Sequence, residues 1–287
     1  MFQPEKSSTF HRIDGSDNQL EYYSVTVDVD YGTDTVQFGQ EFEESRFTIN
    51  EFKFGLAHRI YDHSTSASDS SLVGIFGLSP SSTSRSSQSA FTQMRQHLDH
   101  PIFHLYLEYG GEELEGGKIE YGTANVDSQL CAHDAVTFPF PSDSYSFCVS
   151  LSVYFDDGAK HEGEDFHTVS ALVDSGSNFI LGPPEEVKKL AETVGATRDQ
   201  GTTGPYHIPC AYAEQGKDIV FTAPGKQKLR VSARNYVVTM HDNEDVCLFG
   251  FADGSGDRRW IMGTPFLRGY CASFDLGKHE MSFRQRL

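Results

Sequence analysis

The sequence predicts a mostly β fold in two unequal halves, and three observations predict it. Apolar and polar residues alternate in short runs, glycines punctuate those runs, and only two segments carry a helical period. In chain order, residues 23–29 alternate as a half-buried strand does. The tract from Ser64 to Ser89 holds twelve serines and reads as a flexible surface loop, interrupted by the apolar run 73–78. Residues 90–98 read as a helix. Residues 102–107, Ile-Phe-His-Leu-Tyr-Leu, form a denser, aromatic strand. Glycines 110, 111, 116 and 117 then turn the chain, and 118–121 returns extended. Pro184 suits the first turn of a helix and Gly195 its stop, which makes Pro184–Val194 the second helix. Residues 230–233 alternate again. The halves meet near 132–138, dividing the chain into 1–133 and 134–287.

Composition narrows the function classes. The chain has 41 Asp and Glu against 23 Lys and Arg, a formal net charge of -18. That excess argues against a nucleic-acid binder, which grips phosphate through Lys and Arg, and against a basic membrane-surface module. No apolar run is long enough for a membrane span. Residues 1–6 are polar and show neither a signal nor a transit peptide. Cysteines 131, 148, 210, 247 and 271 form no C-x-x-C pair, which favours disulfides over a metal and leaves one thiol over. Disulfides in turn imply an oxidising compartment. His97, His100 and His104 have helical spacing, but Pro101 breaks any helix through them, so the rings should diverge. No metal and no other cofactor is expected. Protonating all twelve histidines would move the formal charge from -18 to -6, which suits an acid working environment.

Leu172-Val173-Asp174-Ser175-Gly176-Ser177 places a carboxylate just after an apolar strand, on a turn that glycine permits, between two hydroxyls. Such a carboxylate accepts hydrogen bonds from the turn and stays ionised while partly buried, poised for acid-base work. An Asp that merely stabilises its own turn would look similar. Context decides between them.

Downstream stand Ile208-Pro209-Cys210, Cys247-Leu248, Trp260-Ile261-Met262-Gly263 and Phe274-Asp275-Leu276. In this order and spacing, with Asp174 to Pro183, they resemble the C-terminal lobe of the pepsin-like aspartic peptidases. The N-terminal half resembles the same family. Pro4 to Thr9 is similar to its Pro-x-x-Ser-Ser-Thr turn, Asp30-Tyr31-Gly32-Thr33 to its flap, and Gly74-Ile75-Phe76-Gly77-Leu78 to its Gly-Ile-Leu-Gly-Leu, with further matches over 103–107 and 116–122. The resemblance implies a bilobal pepsin-like acid-protease fold and an aspartic endopeptidase that cuts peptide or protein substrates. It also implies a monomer that needs no cofactor and works in a secreted, lysosomal or other acidic compartment.

Catalysis in this family uses two aspartates, one from each lobe, which share a proton across a bound water because two such close carboxylates cannot both ionise. One activates the water and the other hydrogen-bonds the scissile carbonyl. Here only Asp174 sits in an Asp-Ser/Thr-Gly. Asp174 precedes Gly263 by 89 residues, and the same spacing counted back from Gly77 falls at position -12, before Met1. Asp14-Gly15-Ser16 and Asp253-Gly254-Ser255 have the wrong order to substitute. The expected N-terminal lobe is therefore incomplete. Two readings follow: an endopeptidase whose first Asp-Thr/Ser-Gly segment is not among these residues, or an inactive relative that binds peptide or protein in its cleft. By the same resemblance, Asp174 is the catalytic residue. Ser175, Gly176 and Ser177 support its loop, and Tyr31, Gly32 and Thr33 form the tip of a hairpin over the cleft. Asn178 stands where the family usually has serine. Cys210 and Cys247 match the family's C-terminal-lobe disulfide. Cys131 with Cys271 is a second bridge among the several pairings that five cysteines allow, leaving Cys148 free.

Overall fold

Alternating runs become strands only where a neighbour takes up their backbone N–H and C=O groups, so pairing is the place to start. The structure is a computed structural model. It describes residues 2–13, 15, 18–22, 25–39, 46–62, 74–80, 88–108, 116–155, 169–198, 201, 204–223, 227–240, 243–254 and 259–287. Residues 14, 16, 23, 24, 64–73, 81–87, 110, 111 and 255, which entered the expectations above, lie outside the described residues. By packing, the chain divides into two units, Met1–Asp99 and His100–Leu287.

The first unit is built on the strand Val25–Phe38. It pairs antiparallel with His11–Arg12, Asn18–Glu21 and Phe47–Asp62. Its inward residues Val27, Val29 and Tyr31 pack with Ile13, Leu20 and Val25 as the core of this sheet. The helix expected over 90–98 is α-helical at Ala90–Met94 and tightens to a 3-10 turn at Arg95–His97. Ser89 caps it by accepting the Thr92 N–H at 3.1 Å. Gln93 from this helix takes the Lys53 N–H at 2.8 Å and donates to the Lys53 carbonyl at 2.9 Å, as a neighbouring strand would.

In the second unit, one sheet runs in the order Gly117–Tyr121, Ile102–Leu107, Tyr270–Asp275, Glu280–Arg286, Cys131–Pro139. The strands Ile102–Leu107 and Cys131–Pro139 thus hydrogen-bond directly to the last strands of the chain, which is why packing divides the molecule at Asp99/His100 and not at 133/134. A seven-stranded sheet runs Lys228–Val231, Ile219–Thr222, Cys148–Phe155, Val169–Val173, Trp260–Met262, Ile180–Gly182, Phe251–Asp253. Its core is aromatic: Phe221 and Phe251 lie edge-on to Trp260, and all three are fully buried. The helix Pro184–Val194 turns Val187, Leu190, Ala191 and Val194 inward and ends at Gly195, whose φ of 74° is the left-handed cap that glycine adopts without strain. Two disulfides, Cys131–Cys271 and Cys210–Cys247, tie this unit, and Cys148 is a free thiol. No described helix is long and apolar enough to cross a membrane.

Candidate active site

Asp174 is placed by the centre of the seven-stranded sheet. The strand Val169–Val173 is paired antiparallel with Cys148–Phe155 on one side and parallel with Trp260–Met262 on the other, and its alternate residues Ala171 and Val173 are buried. The Asp174 N–H still donates to the Met262 carbonyl at 3.1 Å, and beyond it the chain turns.

The turn is held from within and from across the sheet. Asp174 Oδ1 accepts the Gly176 N–H at 2.8 Å, the local bond an Asp makes in tightening its own turn. The Ser177 N–H reaches the Asp174 carbonyl at 3.3 Å, and the Ser177 hydroxyl donates to the Phe179 carbonyl at 2.8 Å. Ser177 therefore braces the far side of the turn. From the other strand, the Thr264 N–H donates to the Ser177 carbonyl at 2.9 Å and its hydroxyl to the Asn178 carbonyl at 3.4 Å. Gly263 presses still closer: a Cβ there would stand 2.2 Å from the Phe179 carbonyl oxygen and 2.5 Å from that of Ser177. Only a residue with no side chain allows that approach. Asp174 is half-buried, whereas Ser175 and Gly176 are exposed. Among the described residues Asp174 takes its side-chain hydrogen bond on Oδ1 alone.

The hairpin tip expected at 31–33 is corrected by the pairing. Tyr31, Gly32 and Thr33 lie mid-strand, opposite Gly55, Phe54 and Lys53, and Gly32 and Thr33 are also flanked by Arg12 and His11. Tyr31 is buried with Val27 and Val29, and the Lys53 ammonium lies 5.0 Å from its ring centre. Gly32 looks like a turn glycine but serves packing: a Cβ there would meet the Phe10 ring at 2.3 Å. Asn18–Glu21 and Val25–Phe38 pair antiparallel, and next to that pairing the Tyr22 N–H donates to the Val25 carbonyl at 2.8 Å. Tyr22 is 41% exposed. Partial burial, and then the nearby Tyr31, push its hydroxyl pKa up.

Among the described residues, no group of three His, Cys, Asp or Glu side chains could hold a metal. His97 stacks on Phe47, and His104 is buried with both ring nitrogens hydrogen-bonded.

The chain matches the model of the family described as eukaryotic aspartyl protease over residues 1–286. It is 30% identical to aspartic protease 6 of Caenorhabditis elegans over 295 aligned positions, which cover 100% of this chain and 71% of that protein. It is 25% identical to gastricsin of Rattus norvegicus, over 98% of this chain and 69% of that one. In three dimensions it superposes on the aspartic proteinase from Irpex lacteus with a TM-score of 0.77, covering 98% of this chain and 84% of that one at 19% identity.

Proposed function

The chain belongs to the eukaryotic aspartyl protease family, and from that premise we propose that Asp174 is one of two carboxylates with which a pepsin-like fold hydrolyses peptide bonds. The observation that carries this reading is the mounting of Asp174. It lies at the end of a strand paired on both edges, in a turn clamped by Met262, Gly263 and Thr264, with one carboxylate oxygen held by the Gly176 amide. An ordinary surface turn needs no such clamp, whereas a proton-transferring carboxylate must be held within a fraction of an ångström of its working position. In the reaction, one carboxylate takes a proton from water, the water oxygen attacks the peptide carbonyl, and the partner carboxyl hydrogen-bonds the developing oxyanion. Substrates are then peptides or proteins. Two disulfides suit an oxidising compartment.

Residues 1–287 hold one Asp-Ser/Thr-Gly. This favours a second reading for the chain by itself: it binds peptides without cutting them. The test is to read the coding sequence upstream of residue 1 for an apolar strand ending in Asp-Thr-Gly or Asp-Ser-Gly, then express the joined product. Hydrolysis of acid-denatured casein that is lost in Asp174→Ala supports the first reading. A joined product that cuts equally well with Asp174→Ala rules it out.

A further inference from the structure

One row of directly opposed residues is polar across all five strands of the sheet that contains Ile102–Leu107. In register it runs Glu120, His104, Ser273, Ser282, Thr137. The next row, on the opposite face, is apolar: Phe103, Phe274, Met281, Phe138. The outer members of the polar row reach solvent, but its middle does not: His104 is 1% exposed and Ser273 5%.

His104 Nε2 lies 2.9 Å from the Thr123 carbonyl oxygen and Nδ1 lies 2.8 Å from Ser273 Oγ. A carbonyl can only accept, so Nε2 carries the hydrogen, and in the neutral ring Nδ1 must accept from the Ser273 hydroxyl. The neutral imidazole is thus fully satisfied in one tautomer. A proton on Nδ1 would turn the Ser273 hydroxyl away from its present bond and set a full charge inside the sheet. Facing groups pull both ways: Glu120 from one flanking strand and Asp275 from the other favour that charge, and Arg284 from Glu280–Arg286 opposes it. On His104's own strand, Tyr106 lies 6.4 Å away, ring to ring. Burial, the largest influence, lowers the proton affinity and the Thr123 carbonyl, the next, raises it, and the net direction is below that of a free histidine.

We propose that His104 is a buried acid-sensing element of the His100–Leu287 unit, neutral at and above neutral pH and destabilising the five-stranded sheet when it takes a proton. The unfolded chain binds this proton more readily than the folded one. The contribution is therefore complete above the ordinary histidine range, near about pH 6.5, and is lost as pH falls through that range toward the lower folded value. An acid limit of this kind opposes the acid tolerance that the surface charge suggests, and it is independent of whether Asp174 is catalytic.

Long-range proton–nitrogen correlation spectra of the labelled 287-residue chain test it. His104 should show the Nε2–H tautomer and titrate below the exposed histidines. The urea midpoint should fall between about pH 7.5 and about pH 5.5, and part of that fall should vanish in His104→Gln, whose amide can donate to Thr123 and accept from Ser273 without titrating. Should that variant not fold, the tautomer and titration of His104 in the unaltered chain still decide the matter. An Nδ1–H tautomer, or a His104 titration at or above that of exposed histidines, would overturn the proposal.

Discussion

Replacing Gly263 with alanine tests whether the turn of Asp174 is clamped by its neighbour strand. Gly263 has φ -83° and ψ -161°, values any residue adopts, so alanine is not opposed by the backbone there. On conformational grounds alone it should stabilise by about 0.4–1 kcal/mol, through the unfolded chain. The obstacle is contact. The new Cβ would stand 2.2 Å from the Phe179 carbonyl oxygen and 2.5 Å from that of Ser177, where carbon and oxygen ordinarily approach to roughly 3.3 Å. Both carbonyls are backbone and must retreat by about 1 Å, and both are hydrogen-bonded in the turn, to the Thr264 N–H and the Ser177 hydroxyl. Overpacking of this sort costs about 1–3 kcal/mol, so a net loss of about 1–2 kcal/mol is expected. Urea unfolding reads the loss, and hydrogen exchange of the Gly176 amide, bonded to Asp174 Oδ1, reads the displaced turn. Gly195→Ala is the control. It has open space around it but a φ of 74°, so it should lose about 1 kcal/mol by backbone strain and leave Gly176 exchange unchanged. Wild-type stability and unchanged Gly176 exchange in Gly263→Ala would refute the clamp.

Two further outcomes are expected. Replacing Cys210 and Cys247 by serine opens a loop of 37 residues and should lower stability by about 4 kcal/mol in the chain-entropy model, read by urea unfolding; a loss under about 1 kcal/mol would show that the reduced chain is already constrained there. In the first unit, the hydroxyls of Thr9 and Ser7 and the Thr35 N–H all donate to Asp34 Oδ1. The Thr9 hydroxyl foremost, and Ser7 and Thr35 with it, hold the Asp34 carboxyl below the usual range against the effect of burial. A lowered carboxyl contributes stability above its unfolded value, near about pH 3.9, that is lost as pH falls through its folded value. Asp34→Asn should therefore be less stable at neutral pH and show a flatter stability profile below about pH 4, and an unaltered acid limb in that variant would count against the carboxylate.

Much of the second unit was legible because local chemistry and tertiary role coincide there. Leu172-Val173 reads as a strand and is one, since the sheet pairs it on both edges, and Pro184 and Gly195 bound a helix by their own backbone preferences. The first unit was harder. Gly32-Thr33 reads as a turn, but Gly32 is small to admit the Phe10 ring, a contact no local pattern announces. The one-turn helices Tyr212–Gln215, Ala233–Tyr236 and Thr264–Leu267 are too short for periodicity to show. Likewise the polar row through His104 spans five strands distant in sequence, so only register could assemble it.

The measurement that bears most directly on the account is peptide hydrolysis by residues 1–287 alone. On the proposed two-carboxylate chemistry, purified chain, folded and with both disulfides formed, should release no peptides from acid-denatured haemoglobin above the blank, because residues 1–287 hold one Asp-Ser/Thr-Gly. Turnover by that chain, abolished in Asp174→Ala, would contradict it by showing that a second acid within these residues completes the pair.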